Sequence, residues 1–96
     1  MHKLVKKPLA ETDLISIWEY SYKNWGEDKA VEYLLQLETG MQEIISNPNI
    51  GQSREYIRKG YRSIQIAHHV IYYRVDTKTI DIIRVLHERM LPSKHL

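Results

Sequence analysis

The groups most able to do chemistry sit in the second half of the chain. Arg62 lies in "YRSIQIA", and Arg84 and His87 lie in "RVLHERMLPSKHL". Arg58, Lys59 and Arg89 flank them. Convergent guanidinium and ammonium groups can hold a phosphate or stabilise the charge that develops in phosphoryl transfer. A histidine beside them can move a proton near neutral pH. The more ordinary role of each arginine taken alone is structural, through a neighbouring carboxylate or a backbone carbonyl. His68 and His69 are adjacent on an expected strand and point to opposite faces, so they do not chelate one metal. His69 is expected to close a hydrogen bond near the strand start. No cofactor motif is present: there is no Gly-rich phosphate loop, no HExxH helix and no serine elbow.

Charge separates the two halves. Residues 1–48 carry five Lys against eight Asp and Glu, net −3, whereas residues 49–96 carry nine Lys and Arg against four Asp and Glu, net +5. The basic half suits an anionic partner, a nucleic acid or an acidic protein segment. With 96 residues and 43% hydrophobic content the chain is expected to form one domain, residues 1–96, around a single core. It has no cysteine, so it has neither a disulfide framework nor a thiolate nucleophile. No apolar run reaches membrane-spanning length and no signal-peptide core follows the basic start, so the expected compartment is the cytoplasm.

The elements that position these groups follow from periodicity. His2–Lys7 alternates loosely up to Pro8 and reads as an edge strand. Pro8 suits a first helical turn, with Glu11 and Asp13 favoured by the helix dipole. Ala10, Leu14, Ile17, Trp18, Tyr22 and Trp25 recur at three or four and predict a helix whose aromatics pack in the core and hairpin. Gly26 is its expected C-cap. Glu27 and Asp28 open a second helix, striped by Ala30, Leu34, Leu37, Met41, Ile44 and Ile45, which stops at Ser46–Pro48. Asn47–Gly60 reads as a long loop. Tyr61–Ala67, His68–Val75 and Thr79–Leu86 read as three strands, the last two joined by a turn at Asp76–Lys78. In strict alternation Ile80, Ile82, Arg84 and Leu86 oppose Asp81, Ile83, Val85 and His87. Tyr72 and Tyr73 then point to opposite faces, with at most one in the core. The order β-α-α-β-β-β gives an α+β fold, a helical hairpin packed on a small, mostly antiparallel sheet whose other face is free for a ligand.

Taken together, "PLAETDLISIWEYSYKNWG", "NPNIGQSREYIRKGYRS", "HHVIYYRV" and "IIRVLHERMLPSKHL" resemble the ParE toxins of the RelE/ParE superfamily over essentially the whole chain. The resemblance implies a small cytoplasmic toxin encoded beside an antitoxin that neutralises it. It implies DNA gyrase as the target, no enzymatic activity, no membrane partner and no direct sequence-specific nucleic-acid binding. RelE-type relatives instead cut messenger RNA on the ribosome with basic residues and a terminal Tyr or His. In that alternative Arg62, Arg84 and His87 would be catalytic. The chain lacks the lysine-rich strand and the terminal His-Tyr pair of those nucleases, and fold alone does not choose between the activities. A third reading is a binding module that keeps only co-repressor function with its antitoxin. The target surface expected from the tail is Arg84, His87, Arg89, Met90 and Lys94, and the tail itself is expected to be dispensable for folding. The acidic antitoxin is expected to meet Arg58, Lys59 and Arg62, with a helix lying along the hairpin.

Overall fold

The computed structural model describes residues 2–96. Strand β1 (Lys3–Lys6) leads into helix α1 (Pro8–Trp25) and helix α2 (Glu27–Ser46). Strands β2 (Gln52–Ser53), β3 (Tyr61–Ile66), β4 (His69–Val75) and β5 (Thr79–His87) follow, and a short 3-10 turn spans Pro92–Lys94. The five strands form one sheet in the order β1-β5-β4-β3-β2. Only β1 runs parallel to its neighbour, β5; the other pairs are antiparallel. The expected loop therefore yields a two-residue edge strand, β2, that periodicity is too short to reveal.

Pro8 occupies the first turn of α1, where its missing N–H costs nothing. The hairpin joint is Gly26 alone: its N–H donates to Tyr22 O at 2.9 Å, and its carbonyl accepts Ala30 N–H at 3.1 Å. Its φ of +87° lies in a region that side chains avoid, and a Cβ there would meet nothing within 4 Å. Glycine is required for backbone freedom rather than for space.

One face of the sheet receives the helices. Ala10, Ile17, Leu37, Met41 and Ile44 pack there against Ile71, Tyr73, Ile80, Ile82 and Val85. Tyr73 also organises the long loop: its hydroxyl donates to Pro48 O at 2.7 Å and accepts Gly51 N–H at 2.9 Å. The expected aromatic stripe departs from this face. Ser21, four residues after Ile17, takes the buried position, whereas Tyr22 and Trp25 are 54% and 59% exposed. These rings pair along α1 instead, Trp18 with Tyr22 at 6.0 Å and Tyr20 with Trp25 at 5.6 Å between centroids.

The second face is not free. Tyr61, Ser63, Tyr72 and Leu86 are buried on it, so both Tyr72 and Tyr73 are interior residues. The segment after β2 is stitched over this face: Arg54 N–H donates to Tyr61 O at 2.7 Å, and Arg54 Nε donates to Ser63 Oγ at 2.8 Å. The tail returns to the same face, bringing Leu96 and His95 beside Tyr61 and Ile83.

Strict alternation also fails along β5. Tyr72 lies opposite Arg84 while Tyr73 lies opposite Ile82, leaving Ile83 as a bulged extra residue. Beyond the bulge the faces exchange. Val85 joins Ile80 and Ile82 under the helices, and Arg84 and Leu86 turn to the tail side.

Because the His95 carbonyl accepts from Arg84 and Leu96 lies beside Tyr61 and Ile83, the tail, expected to be dispensable for folding, should add to stability. Deleting Leu91–Leu96 uncovers the Tyr61–Ile83 surface and removes a carbonyl partner of Arg84. Urea unfolding should show a loss of about 1–3 kcal/mol. Unchanged stability would contradict this packing.

Candidate functional site

Strand β1 ends because Pro8 turns the chain into α1, and the last ladder bond runs from Lys7 N–H to Ile82 O at 3.0 Å. The β5 edge beyond Ile82 then has no neighbouring strand. Asp13, on the second turn of α1, takes that place. Its Oδ2 accepts Val85 N–H at 2.9 Å and Arg84 Nε–H at 2.8 Å, and its Oδ1 accepts Arg84 Nη2–H at 2.9 Å. The remaining Nη1 donates to His95 O at 3.0 Å. Arg84, its side chain only 16% exposed, thus joins α1, β5 and the tail. Hydrogen bonding to Asp13 holds its pKa above the usual arginine value. It has little guanidinium surface left for a target.

Arg62 is likewise engaged, with Nη1 donating to Gly51 O at 2.7 Å. It lies opposite Tyr73 on the helix side of the sheet. His87 lies at the far end of that side, opposite His69, which in turn faces Ile66. Ile66 stands four residues from Arg62, roughly 13 Å along a strand at ~3.3 Å per residue. Arg84 points to the opposite side because of the bulge. The three residues expected to converge for nuclease chemistry are therefore separated.

The other candidate contact residues, four of them basic, are more available. Arg58, Lys59, Arg89, Met90 and Lys94 are all exposed. The loop and the tail meet, with Tyr56 and Ile57 lining a cleft of about 400 Å³ with Pro92, Ser93 and Leu96. Arg58 also borders Arg84 and Leu96. Arg58 of the expected antitoxin set thus shares a surface with the Pro92–Leu96 end that carries Lys94, whereas Met90 of the expected target set lies at a different cavity, beside His87.

A second constellation lies at the β3–β4 hairpin end. Ala67 and His68 form a two-residue turn in which Ala67 takes φ of 52°. The His68 backbone N–H donates to Tyr33 Oη at 3.1 Å, and the Tyr33 hydroxyl and His69 Nδ1 share a hydrogen bond of 2.6 Å. When Tyr33 donates in that bond, the neutral His69 ring carries its proton on Nε2. Burial first, and then His87 and His68, lower the His69 pKa to about 4. His87 sits against His69 with ring centroids 5.3 Å apart, and its Nδ1 accepts Arg89 N–H at 3.2 Å. On the outside His68 Nδ1 meets Glu88 Oε2 at 2.8 Å, and Gln65 donates to the other Glu88 oxygen at 2.9 Å. A cavity of about 300 Å³ opens beside the rings of Tyr33, His69 and His87. The hydrogen bond expected of His69 is present. Its partner Tyr33 stands 36 positions away, with no local sequence signal. Among the described residues no group of three or more His, Cys, Asp or Glu could hold a metal ion, and no helix is long and apolar enough to cross a membrane.

Comparison with known proteins follows the same outline. The profile of the family described as "ParE toxin of type II toxin-antitoxin system, parDE" matches residues 4–92. The protein named Toxin ParE1 of Mycobacterium tuberculosis is 40% identical over 90 residues, which cover 93% of this chain and 92% of that protein. Toxin ParE1 of Caulobacter vibrioides is 40% identical over 87 residues, covering 91% and 90%. A solved structure titled as a chromosomal ParDE TA system from P. aeruginosa superposes with a TM-score of 0.79. At 22% identity it covers 91% of this chain and 96% of that one, a likeness of fold.

The His69 environment sets a pH dependence. Its folded pKa, about 4, lies below the ordinary 6.5, so between these values the unfolded chain binds the proton and the folded one does not. Stability should therefore fall as pH drops from 6.5 towards 4. In His69→Phe the slope across that window should flatten, whatever the change in absolute stability. Denaturant unfolding at stepped pH measures it, and an unaltered slope would assign the dependence elsewhere.

Proposed function

The chain belongs to the ParE toxin family of type II toxin–antitoxin systems, and from that premise we propose that it is a cytoplasmic, non-enzymatic poison of DNA gyrase. The observation that favours a binding mode over ribosome-dependent RNA cleavage is the state of Arg84. A catalytic arginine must meet developing charge in the substrate, but this one is committed to Asp13 and to the His95 carbonyl. Arg62 is committed to Gly51, and His87 is not beside either arginine. The target-contacting set then narrows from the expected group to Arg89, Met90 and Lys94, with Arg84 holding the tail that carries Lys94.

Neutralisation follows from the same surface. An acidic antitoxin segment engaging Arg58 and Lys59 would lie beside the tail and cover it. Arg62 contributes less to that contact, since its guanidinium is turned to the Gly51 carbonyl. Charge pairs at such a rim act mainly on association and its salt dependence.

A two-armed assay with the purified chain tests this reading. Gyrase supercoiling should stop with accumulation of cleaved plasmid, and translating ribosomes should show no A-site messenger cleavage. Arg89→Ala/Lys94→Ala should raise the inhibitory concentration at least ~10-fold, the scale of 1.4 kcal/mol of lost contact. Purified antitoxin should restore supercoiling against the parent chain but only weakly against Arg58→Glu/Lys59→Glu. Messenger cleavage abolished by His87→Ala would establish the nuclease instead. Inactivity in both arms, with antitoxin binding intact, would leave a co-repressor.

A further inference from the structure

The cavity at the hairpin end lies on the helix side of the sheet, where Met90 also lines it, whereas the Pro92–Leu96 end and the basic loop lie on the other. Its chemistry is one-sided. His69 has Nδ1 engaged by the Tyr33 hydroxyl and His87 has Nδ1 accepting the Arg89 N–H, so Nε2 is the nitrogen each ring has left. The neutral His87 ring therefore keeps a donor at Nε2, and so does His69 when Tyr33 donates to its Nδ1. No carboxylate lines the cavity, and the nearest one, Glu88, is already held by His68 and Gln65 outside it. Ser16 adds a hydroxyl to the lining.

The walls are aromatic beyond what the fold requires. Tyr20 and Trp25 are 62% and 59% exposed, yet they stand edge to face at 5.6 Å over the cavity mouth. Large rings left at a surface beside a concave site point to a ligand rather than to packing. Rings of this kind favour a flat partner in stacked or edge contact. The volume, about 300 Å³, suits one or two fused rings.

We propose that this cavity binds a small planar aromatic carboxylate, its ring against Tyr20 and Trp25 and its carboxylate receiving hydrogen bonds from His69 Nε2 and His87 Nε2. No side chain of the cavity supplies an anion to these donors. The site uses no side chain of Arg58, Lys59, Arg89 or Lys94 and shares only Met90 with the target-contacting set, so the charged groups of the gyrase reading can be varied without touching it.

The test is an NMR titration of the full chain, following histidine side-chain nitrogens, with three probes: indole-3-carboxylate, indole and cyclohexanecarboxylate. Indole-3-carboxylate should shift the His69 and His87 Nε2 resonances saturably, with at least ~10-fold tighter binding than either analogue, about 1.4 kcal/mol. His87→Phe, which keeps a ring but removes the donor, should erase the preference for the acid over indole. The comparison of probes on the parent chain needs no variant and stands if His87→Phe does not fold. Three results would each overturn the assignment: no saturable shift at millimolar probe, equal binding of indole and its acid, or release of the bound probe by stoichiometric antitoxin. The last would make the cavity a seat for a protein partner.

Discussion

One carboxylate holds the molecule's parts in register. Strand β1 must stop where Pro8 starts the helix, and this leaves the β5 edge short of a partner just as β5 bulges at Ile83. Asp13 resolves both problems, accepting the orphaned Val85 amide and two donors of Arg84. A buried pair of this kind adds little relative to an apolar replacement, but removing one partner strands the other charge and is costly. Its larger effect is geometric. With α1 anchored to β5 and Arg84 anchored to the tail, the second sheet face closes and the basic loop comes to lie against the chain end.

That arrangement separates what the chain can offer to partners. The tail and the Arg54–Gly60 loop form one exposed basic surface on one side of the sheet. The histidine–tyrosine cavity occupies the other side at the β3–β4 hairpin end. The bulge produces this division, since with strict alternation Arg84 would stay on the face of Ile80 and Ile82. Fold and family are shared with toxins of type II systems. The differences that matter for chemistry lie in which donors remain unspent.

Much of the architecture was legible in the residues. Gly26 marks the hairpin joint, Pro8 marks the start of α1, and the α2 stripe and the order of the longer strands agree with the observed topology. The failures have specific causes. The Ala67–His68 turn carries no glycine or asparagine at the position of positive φ, so the two strands read as abutting at Ala67 and His68 with no turn between them. Nothing in "IDIIRVL" announces a bulge, and β-branched residues disguise it. Tyr22 and Trp25 were assigned to the core by spacing, but the buried line runs from Ile17 to the small Ser21. Asp13 was read as a dipole residue because its true partner is 71 positions away. Of the candidate site residues, exposure was legible for Arg58, Lys59, Arg89 and Lys94. The engagement of Arg62 and Arg84 was not, because it depends on backbone carbonyls and a carboxylate brought in by the fold.

A double-mutant cycle on unfolding free energy with Asp13→Ala, Arg84→Ala and the double variant tests the clamp most directly. If Asp13 and Arg84 hold α1, β5 and the tail together, the two losses overlap. The coupling should then be about 2 kcal/mol, with each single variant nearly as unstable as the double. Losses that simply add to within ~0.5 kcal/mol would mean that the two residues act independently, and Arg84 would again be free for a target.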